Sequence, residues 1–430
     1  MNYKEALEYI QGTKTFGSKL GLDRIKMLVD LLGNPEKGLQ VIHVAGTNGK
    51  GSTIAFMSSV LCQAGYKVGI YTSPGLYNFN DRIKINQKEI DDESVGKITG
   101  KIKEKIDVML AQGFEHPTEF EIMTALALVY FKEQECDLVI LEVGLGGRLD
   151  STNVIKTPML AVITPIDFDH MDILGDTIEL IAKEKAGILK RGTRLVLSPQ
   201  REEAEVIILK RAERFDIPVH KVDFSSINPI SWDIDTQCFS VDQEEYKTSI
   251  LGFHQTQNAL VAIEALYALE TIGVRVPQDA LKKGLVMARW PARFEILDKD
   301  PLVVIDGAHN LQGVQILKEN LKAYFGDKEI IFIMGVMRDK NYVEMIRELK
   351  PLMHKVYTVT PNNNRALSAV ELQKVLEEEG VDSKACLGIT TALESSLRDI
   401  GENQIICAFG SLYFMGELRA SYLSLEDKHE

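Results

Sequence analysis

What this chain has little of already excludes several functions. Its five cysteines (Cys62, Cys136, Cys238, Cys386, Cys407) are scattered over 430 residues with no CxxC pair. Neither a disulfide framework nor a thiolate metal site is suggested. Most of them sit in apolar runs, so buried free thiols are expected. No stretch approaches the run of about 20 apolar residues that a membrane-spanning helix needs. The N-terminal Met1-Asn-Tyr-Lys-Glu5 lacks the apolar core of a signal peptide, so a reducing cytoplasm is the expected compartment. Positive charge is in deficit: 49 Lys and Arg against 62 Asp and Glu give a net charge of −13. That balance argues against general binding to nucleic acid or to an anionic membrane. No internal repeat or low-complexity tract stands out, and the charged tail Leu425–Glu430 is expected to fray.

What remains is an ordinary globular composition, 45% hydrophobic and 26% charged. A single core usually stops growing near 250–300 residues, so the chain is long enough for two or three. Val68–Thr72, Leu138–Val143, Leu160–Thr164 and Arg194–Ser198 read as buried strands of a parallel sheet. Thr118–Gln134 reads as a helix, with Phe120, Met123, Ala127 and Phe131 on one face. Residues 222–250 alternate polar and apolar positions, which predicts antiparallel strands at a sheet edge. A second alternation begins near residue 296, with strands expected at Leu302–Asp306, Ile330–Met334, Val356–Thr360 and Gln404–Ala408. The expected fold is therefore α/β: a P-loop-type, mostly parallel sheet domain with antiparallel edge strands over 1–296, and a smaller Rossmann-like α/β domain over 297–430.

The densest chemical signal is Val41-Ile-His-Val-Ala-Gly-Thr-Asn-Gly-Lys-Gly-Ser52, followed by apolar residues at helical spacing. A strand, a glycine turn and a helix N-terminus make a cradle for phosphate, because backbone N–H groups and the helix dipole favour anions. Gly46, Gly49 and Gly51 let the backbone come close, Lys50 supplies a point charge, and Ser52 offers a hydroxyl to magnesium. The plainer alternative is a strand-to-helix turn that merely needs glycines. The loop departs from the common G-x-x-x-x-G-K-[ST] pattern, since Val44 holds the first glycine position and Gly51 separates lysine from serine. The departure disfavours a GTPase or generic ATPase.

Gly46-Thr-Asn-Gly-Lys-Gly-Ser52 resembles the nucleotide loop of the Mur ligase superfamily, in its folylpolyglutamate synthase/dihydrofolate synthase branch. Those enzymes use ATP to join a carboxylate to an amino acid's amine. The resemblance runs from about residue 17 to Ser411. It implies that Thr47, Asn48, Gly49, Lys50, Gly51 and Ser52 hold ATP, with Lys50 catalytic. Glu142-Val-Gly-Leu-Gly-Gly-Arg148-Leu-Asp150 resembles the E-V-G-L-G-G-R-x-D signature. Glu142 would then be a magnesium ligand, although on its own it could merely pair with Arg148. Asp169-His170-Met-Asp-Ile-Leu-Gly175 resembles the D-H-x-x-x-L-G motif, implying a second magnesium on His170. A lone histidine can equally be a hydrogen-bonded structural residue, and Asp167 departs from the family pattern.

Ser73, in Tyr71-Thr-Ser-Pro-Gly75, matches a metal-contacting serine, or is a simple turn residue. Lys185, before Ala186-Gly187-Ile188, matches a lysine that CO2 converts to a carbamate ligand. Read alone it is an ordinary helix-end lysine. The carbamate chemistry requires a neutral amine, so Lys185 should be desolvated. Arg82 matches the arginine of an E-R-I motif whose glutamate is here Asp81.

His254-Gln-Thr-Gln-Asn258 resembles the adenine-contacting helix start, which implicates Asn258. Trp290-Pro-Ala-Arg293 resembles W-P-G-R, implicating Arg293 at the ATP phosphates, with Ala292 replacing glycine. Asp306-Gly-Ala-His309 implies a ribose contact and a histidine over the reacting centre. His309 and Ser411 would bind glutamate. Lys19, Leu20, Gly21, Phe120, Arg148 and Asp150 fall on the folate side, although Leu20-Gly-Leu-Asp-Arg24 could be just a helix start.

The resemblance thus implies an ATP-dependent ligase adding L-glutamate to folate polyglutamates and to dihydropteroate, through an acyl phosphate. It implies two magnesium ions, admits a potassium ion, and leaves small molecules as the only partners of an expected monomer. A UDP-linked peptidoglycan ligase is disfavoured by the ~45 residues before Gly46, below the usual size of a domain with its own core. A nucleotide-dependent switch would not need Lys185, His170, Asp306 or His309.

Overall fold

A computed structural model describes residues 1–17, 19–326 and 328–426 of the chain. Most of the charged tail, from residue 427, lies outside the described residues. Eight strands form the first sheet: β1 (Val41–Ala45), β2 (Val68–Tyr71), β3 (Ile83–Ile85), β4 (Lys88–Glu89), β5 (Leu138–Glu142), β6 (Leu160–Ile163), β7 (Arg194–Leu197) and β8 (Val219–Lys221). Their order is β4-β3-β2-β5-β1-β6-β7-β8, and only β3, next to the edge, runs antiparallel to its neighbours β2 and β4. β1 and β5 are buried at every residue, as central strands covered on both faces must be.

The chain fills β2 and β5 on one side of β1 and then turns to β6, β7 and β8 on the other. Such a reversal opens a crevice beyond the strands' carboxyl ends, and the glycine loop leaves β1 at that point. Helices Lys50–Gln63, Phe253–Glu270 and Gln278–Met287 share one hydrophobic cluster with the sheet. Helices Asp92–Ala111 and Glu119–Glu133 share another, centred on Tyr71, Val139 and Leu141. Helix Lys50–Gln63 is buried almost all round, so it could not show a one-sided apolar stripe. Gly284 lets its partner approach: a Cβ there would lie 2.4 Å from the Val60 Cα. Ser59 Oγ donates to the Gly284 carbonyl at 2.7 Å across the same contact.

The strands expected at a sheet edge over 222–250 form a separate sheet instead. β9 (Asn228–Trp232), β10 (Gln237–Val241) and β11 (Glu244–Thr248) are antiparallel in the order β11-β10-β9. Phe239, Val241 and Tyr246 point their side chains into the cluster around helix Phe253–Glu270, so the apolar alternation faces helices rather than an edge strand.

The third sheet holds β12 (Glu295–Lys299), β13 (Leu302–Ile305), β14 (Glu329–Met334), β15 (Met353–Thr358), β16 (Ser383–Ala385) and β17 (Gln404–Phe409). Its order is β12-β13-β17-β14-β15-β16, parallel except for β12. Two clusters of buried residues, one on each face, make this unit's core. A division at 296/297 passes through β12, whose pairing with β13 begins at Glu295. The thiols also depart from expectation. Cys386 and Cys407 are buried, whereas Cys62, Cys136 and Cys238 are only partly so.

Candidate active site

Each glycine of the loop after β1 is matched by a neighbour that leaves no room for a side chain. Gly46 has φ 150°, and a Cβ there would lie 1.8 Å from Thr164 Oγ1. Gly49, left-handed at φ 86°, caps helix Lys50–Gln63, and its Cβ would meet Asn258 Oδ1 at 2.4 Å. At Gly51 a Cβ would run into the Trp290 indole at 2.5 Å. The inserted glycine thus makes room for a tryptophan from the segment joining the two units. Thr47 ties the loop to the segment after β6: its N–H reaches the Pro165 carbonyl, and its hydroxyl donates to the Asp167 carbonyl, both at 3.0 Å. The Asp167 carboxylate pairs with Arg201 at 3.0 Å, which gives that unusual residue a structural role.

Lys50 Nζ donates to the Gly46 and Thr47 carbonyls at 3.1 Å and stands 4.0 Å from Glu142 Oε1. Glu142 does not pair with Arg148. Its Oε2 accepts the Ser73 N–H at 3.1 Å, while Arg148 pairs with Glu184 at 2.9 Å. Burial pushes the Glu142 carboxyl up, and Lys50, the Ser73 N–H and Arg293 pull it back. Lys185 is buried, and its Nζ donates to the Gly46 carbonyl at 2.7 Å. Burial, aided by Lys50, brings its amine down to about 7. A lysine that is neutral near neutral pH is what reaction with CO2 requires.

His170 has φ 51° and begins the short helix Met171–Leu174. Its Nε2 stands 3.8 Å from Asp169 Oδ2, and the ring lines a cavity of about 660 Å³. Among the described residues no three His, Cys, Asp or Glu gather as a metal cluster. Magnesium usually takes one or two carboxylates and keeps water and phosphate oxygens, so the linked Ser73 and Glu142 are a fitting hard-oxygen pair.

From the second unit, Asp306 is fixed by the Phe294 N–H at 2.8 Å and the Ala308 N–H at 2.7 Å. His309 Nδ1 lies 2.7 Å from the Gly307 carbonyl, so that nitrogen carries the proton and Nε2 keeps a lone pair. Burial brings the His309 imidazole down to about 4. The Arg293 charge acts on Asp306, Glu142 and His309 alike, placing it between the units. Ala292, where the family has glycine, takes φ 54°, and its fully buried methyl offsets part of that strain. Asn258 is buried, and its Nδ2 donates to Gln255 Oε1 at 2.9 Å. Ser411 is buried and accepts the Tyr413 N–H at 3.2 Å.

Four of the six folate-side candidates, Lys19, Leu20, Phe120 and Asp150, line the 660 Å³ cavity. The other two do not. Gly21 donates its N–H to the Leu149 carbonyl at 3.4 Å, and Arg148 is held by Glu184. Asp150 spends its carboxylate on the N–H groups of Leu145 and Thr152, shaping the loop it sits in. Ser73 lines this cavity and also a smaller cleft of about 70 Å³ with Gly51, Glu142, Trp290 and Arg293.

The Mur ligase middle domain matches residues 44–266, and the Mur ligase glutamate ligase domain matches 292–412. A dihydrofolate synthase/folylpolyglutamate synthase of Bacillus subtilis is 40% identical over 97% of this chain and 98% of its own length. The chain belongs to the folylpolyglutamate synthase/dihydrofolate synthase family of Mur ligases. It is accordingly an ATP-dependent ligase. The folylpolyglutamate synthase of Lacticaseibacillus casei is 34% identical over 98% of this chain and 99% of its own. Escherichia coli FolC in complex with DHPP and ADP superposes with a TM-score of 0.85 at 28% identity, covering 100% and 99% of the two chains. A Mycobacterium tuberculosis folylpolyglutamate synthase complexed with ADP and AMPPCP gives 0.87 at 28%, covering 98% and 99%.

Around the candidate site, Gln312, Lys340 and Arg24 carry no sequence signal strong enough to single them out. Asn48 Nδ2 donates to Gln312 Oε1 across the two units, and Lys340 Nζ reaches Asp169 Oδ1 at 3.2 Å. Arg24 is the anchor of the Lys19–Gly21 segment. Its NH2 donates to the Lys19 carbonyl at 2.9 Å, and its Nε to Glu121 Oε2 at 3.0 Å. Glu121 is 1% exposed and closes the capping box of helix Glu119–Glu133, so this pair joins the segment to the element bearing Phe120. Arg24→Met should therefore lower stability by about 3 kcal/mol in urea unfolding, because it strands a buried carboxylate. A loss under about 1 kcal/mol would mean that solvent screens the pair.

Proposed function

We propose that this ligase adds L-glutamate to folates, extending folylpolyglutamates and converting dihydropteroate to dihydrofolate. The observation that carries the reading is the position of Ser73. It lines both the large cavity and the cleft beside the nucleotide loop, so a carboxylate held in the cavity can reach a transferring phosphoryl group. Relatives named for both activities support it. The large cavity suits the organic acid, with Phe120 as a flat wall for a pterin and Lys19 and Leu20 at its N-terminal side.

ATP lies on Thr47–Ser52, its adenine against Asn258 and its ribose at Asp306, with Lys50 and Arg293 on the phosphates. The substrate carboxylate attacks the terminal phosphorus, giving an acyl phosphate and ADP. The glutamate amine, presented near His309 and Ser411, then attacks the acyl carbon, and phosphate leaves as the amide forms. His309 Nε2, unprotonated at neutral pH, is placed to take the proton that the amine loses. Closing the two units excludes water that would hydrolyse the acyl phosphate.

Magnesium fits Ser73 and Glu142, and a second ion fits His170 with a carbamate on Lys185; there it would neutralise charge on the phosphoryl oxygens. Potassium is a further candidate ion. Residues 1–296 hold ATP and folate in this reading, and 297–430 present glutamate. In this reading the chain acts as a monomer in the cytoplasm; among the described residues no helix is long and apolar enough to cross a membrane.

Purified protein should release ADP only when a folate acid and glutamate are both supplied, with tetrahydrofolate and dihydropteroate each serving as the acid. Lys50→Ala should lower this rate roughly 10²-fold or more while the protein stays folded. ADP release without either acid would sink the ligase reading. Lys185 should carry the mass of one added CO2. That modification should grow as pH rises through about 7, where the amine becomes neutral, and fade below it. An unmodified lysine in CO2-saturated buffer at pH 8 would rule it out.

A further inference from the structure

Arg82 has a defined position in the large cavity and no part in the roles assigned so far. It ends the turn Asn80–Arg82, and its carbonyl accepts the Thr72 N–H at 3.0 Å, which pins it beside the Ser73 segment. Its side chain is 14% exposed and lines the cavity with Ser73, Glu119 and Phe120. The guanidinium carbon stands 5.8 Å from the centre of the Phe120 ring, and NH1 is a loose 3.9 Å from Glu119 Oε1. Its Nε–H is buried and has no acceptor among the described residues. A buried arginine donor without a partner is costly, and a planar carboxylate is the group that its fork fits best.

The acids expected in this cavity differ in one relevant way. Dihydropteroate has a single carboxylate, the one that is activated. A glutamylated folate brings two: the side-chain carboxylate that reacts and, a few bonds away, an α-carboxylate that stays ionised. In a protein of net charge −13 that second anion needs a local cation. Lys19, at the cavity's N-terminal side, is largely exposed and already paired with Glu115 at 3.0 Å. Arg82 lies deeper, beside Ser73, where the reacting end of the acid must be.

We propose that Arg82 binds the α-carboxylate of the glutamyl residue being extended, and so selects glutamylated folates; this rests on the folate-ligase reading. Nε–H and an Nη–H donate to its two oxygens, while the neighbouring γ-carboxylate turns toward Ser73. The residue sets specificity and takes no proton.

The test compares tetrahydrofolate with its analogue bearing 4-aminobutyrate in place of glutamate, which keeps the reacting carboxylate and lacks only the α-carboxylate. The unmodified protein should prefer tetrahydrofolate by about ten- to a hundredfold in kcat/KM, the scale of a lost charged hydrogen-bond pair. Arg82→Gln should lose that preference by slowing only the glutamate-bearing substrate, through KM, with the KM for ATP unchanged. Arg82→Lys should restore part of it. Equal use of both substrates by the unmodified protein would overturn the assignment without any variant. So would an Arg82→Gln enzyme that keeps the preference, or that loses activity equally on both. Ligation of glutamate to neither substrate by the unmodified protein would remove the ligase reading itself, and the assignment with it.

Discussion

The structure is organised around one constraint: the backbone between Gly46 and Ser52 is enclosed so closely that its three glycines leave no room for a side chain. Thr164, Asn258 and Trp290 each press against one of its glycines, and they come from β6's end, a helix start and the segment joining the units. Any non-glycine residue at these positions would push one of those elements away. The loop is therefore as much the place where the surrounding elements meet as it is a ligand surface. Its own carbonyls hold Lys50 and Lys185, so two cations gather in a chain whose net charge is −13. Burial, aided by the Lys50 charge, brings the Lys185 amine down to about 7.

The same loop couples chemistry to closure. Asn48 reaches Gln312, and Asp169, next to His170, reaches Lys340, so two of the bonds between the units start within a residue or two of proposed ligands. Domain position and site geometry cannot vary independently under these ties. The segment joining the units carries two left-handed residues, Ala292 and Phe294, on either side of Arg293. Backbone held in sparsely populated conformations, close to an interdomain cleft, commonly marks functional strain.

Much of this was legible in the sequence because the signals were local. A strand, a glycine turn and a helix start are consecutive, and the buried strands β1, β5, β6 and β14 are continuous apolar runs. The missed elements had no such pattern. β8 (Val219–Lys221) is exposed at all three residues, and β16 (Ser383–Ala385) is short and half-buried, so neither shows apolar alternation. The strands over 222–250 carried the right periodicity, but period alone does not say which surface the apolar face meets. Site residues divided in the same way. Lys50 and Glu142 sit in runs of conspicuous chemistry, whereas Arg24, Gln312 and Lys340 act across long stretches of chain and look like surface residues in one dimension. Arg148, conspicuous in its motif, spends its charge on Glu184 instead.

Taken together, the cavity, the loop and Ser73 between them make one claim about chemistry: an oxygen of the acid ends up on phosphorus. Folate acid labelled with oxygen-18 in its reacting carboxylate tests this directly. After ligation, mass spectrometry should find one labelled oxygen in the released inorganic phosphate, because the acyl phosphate breaks at its carbon–oxygen bond. Phosphate carrying no label, with amide still formed, would contradict carboxylate activation by ATP.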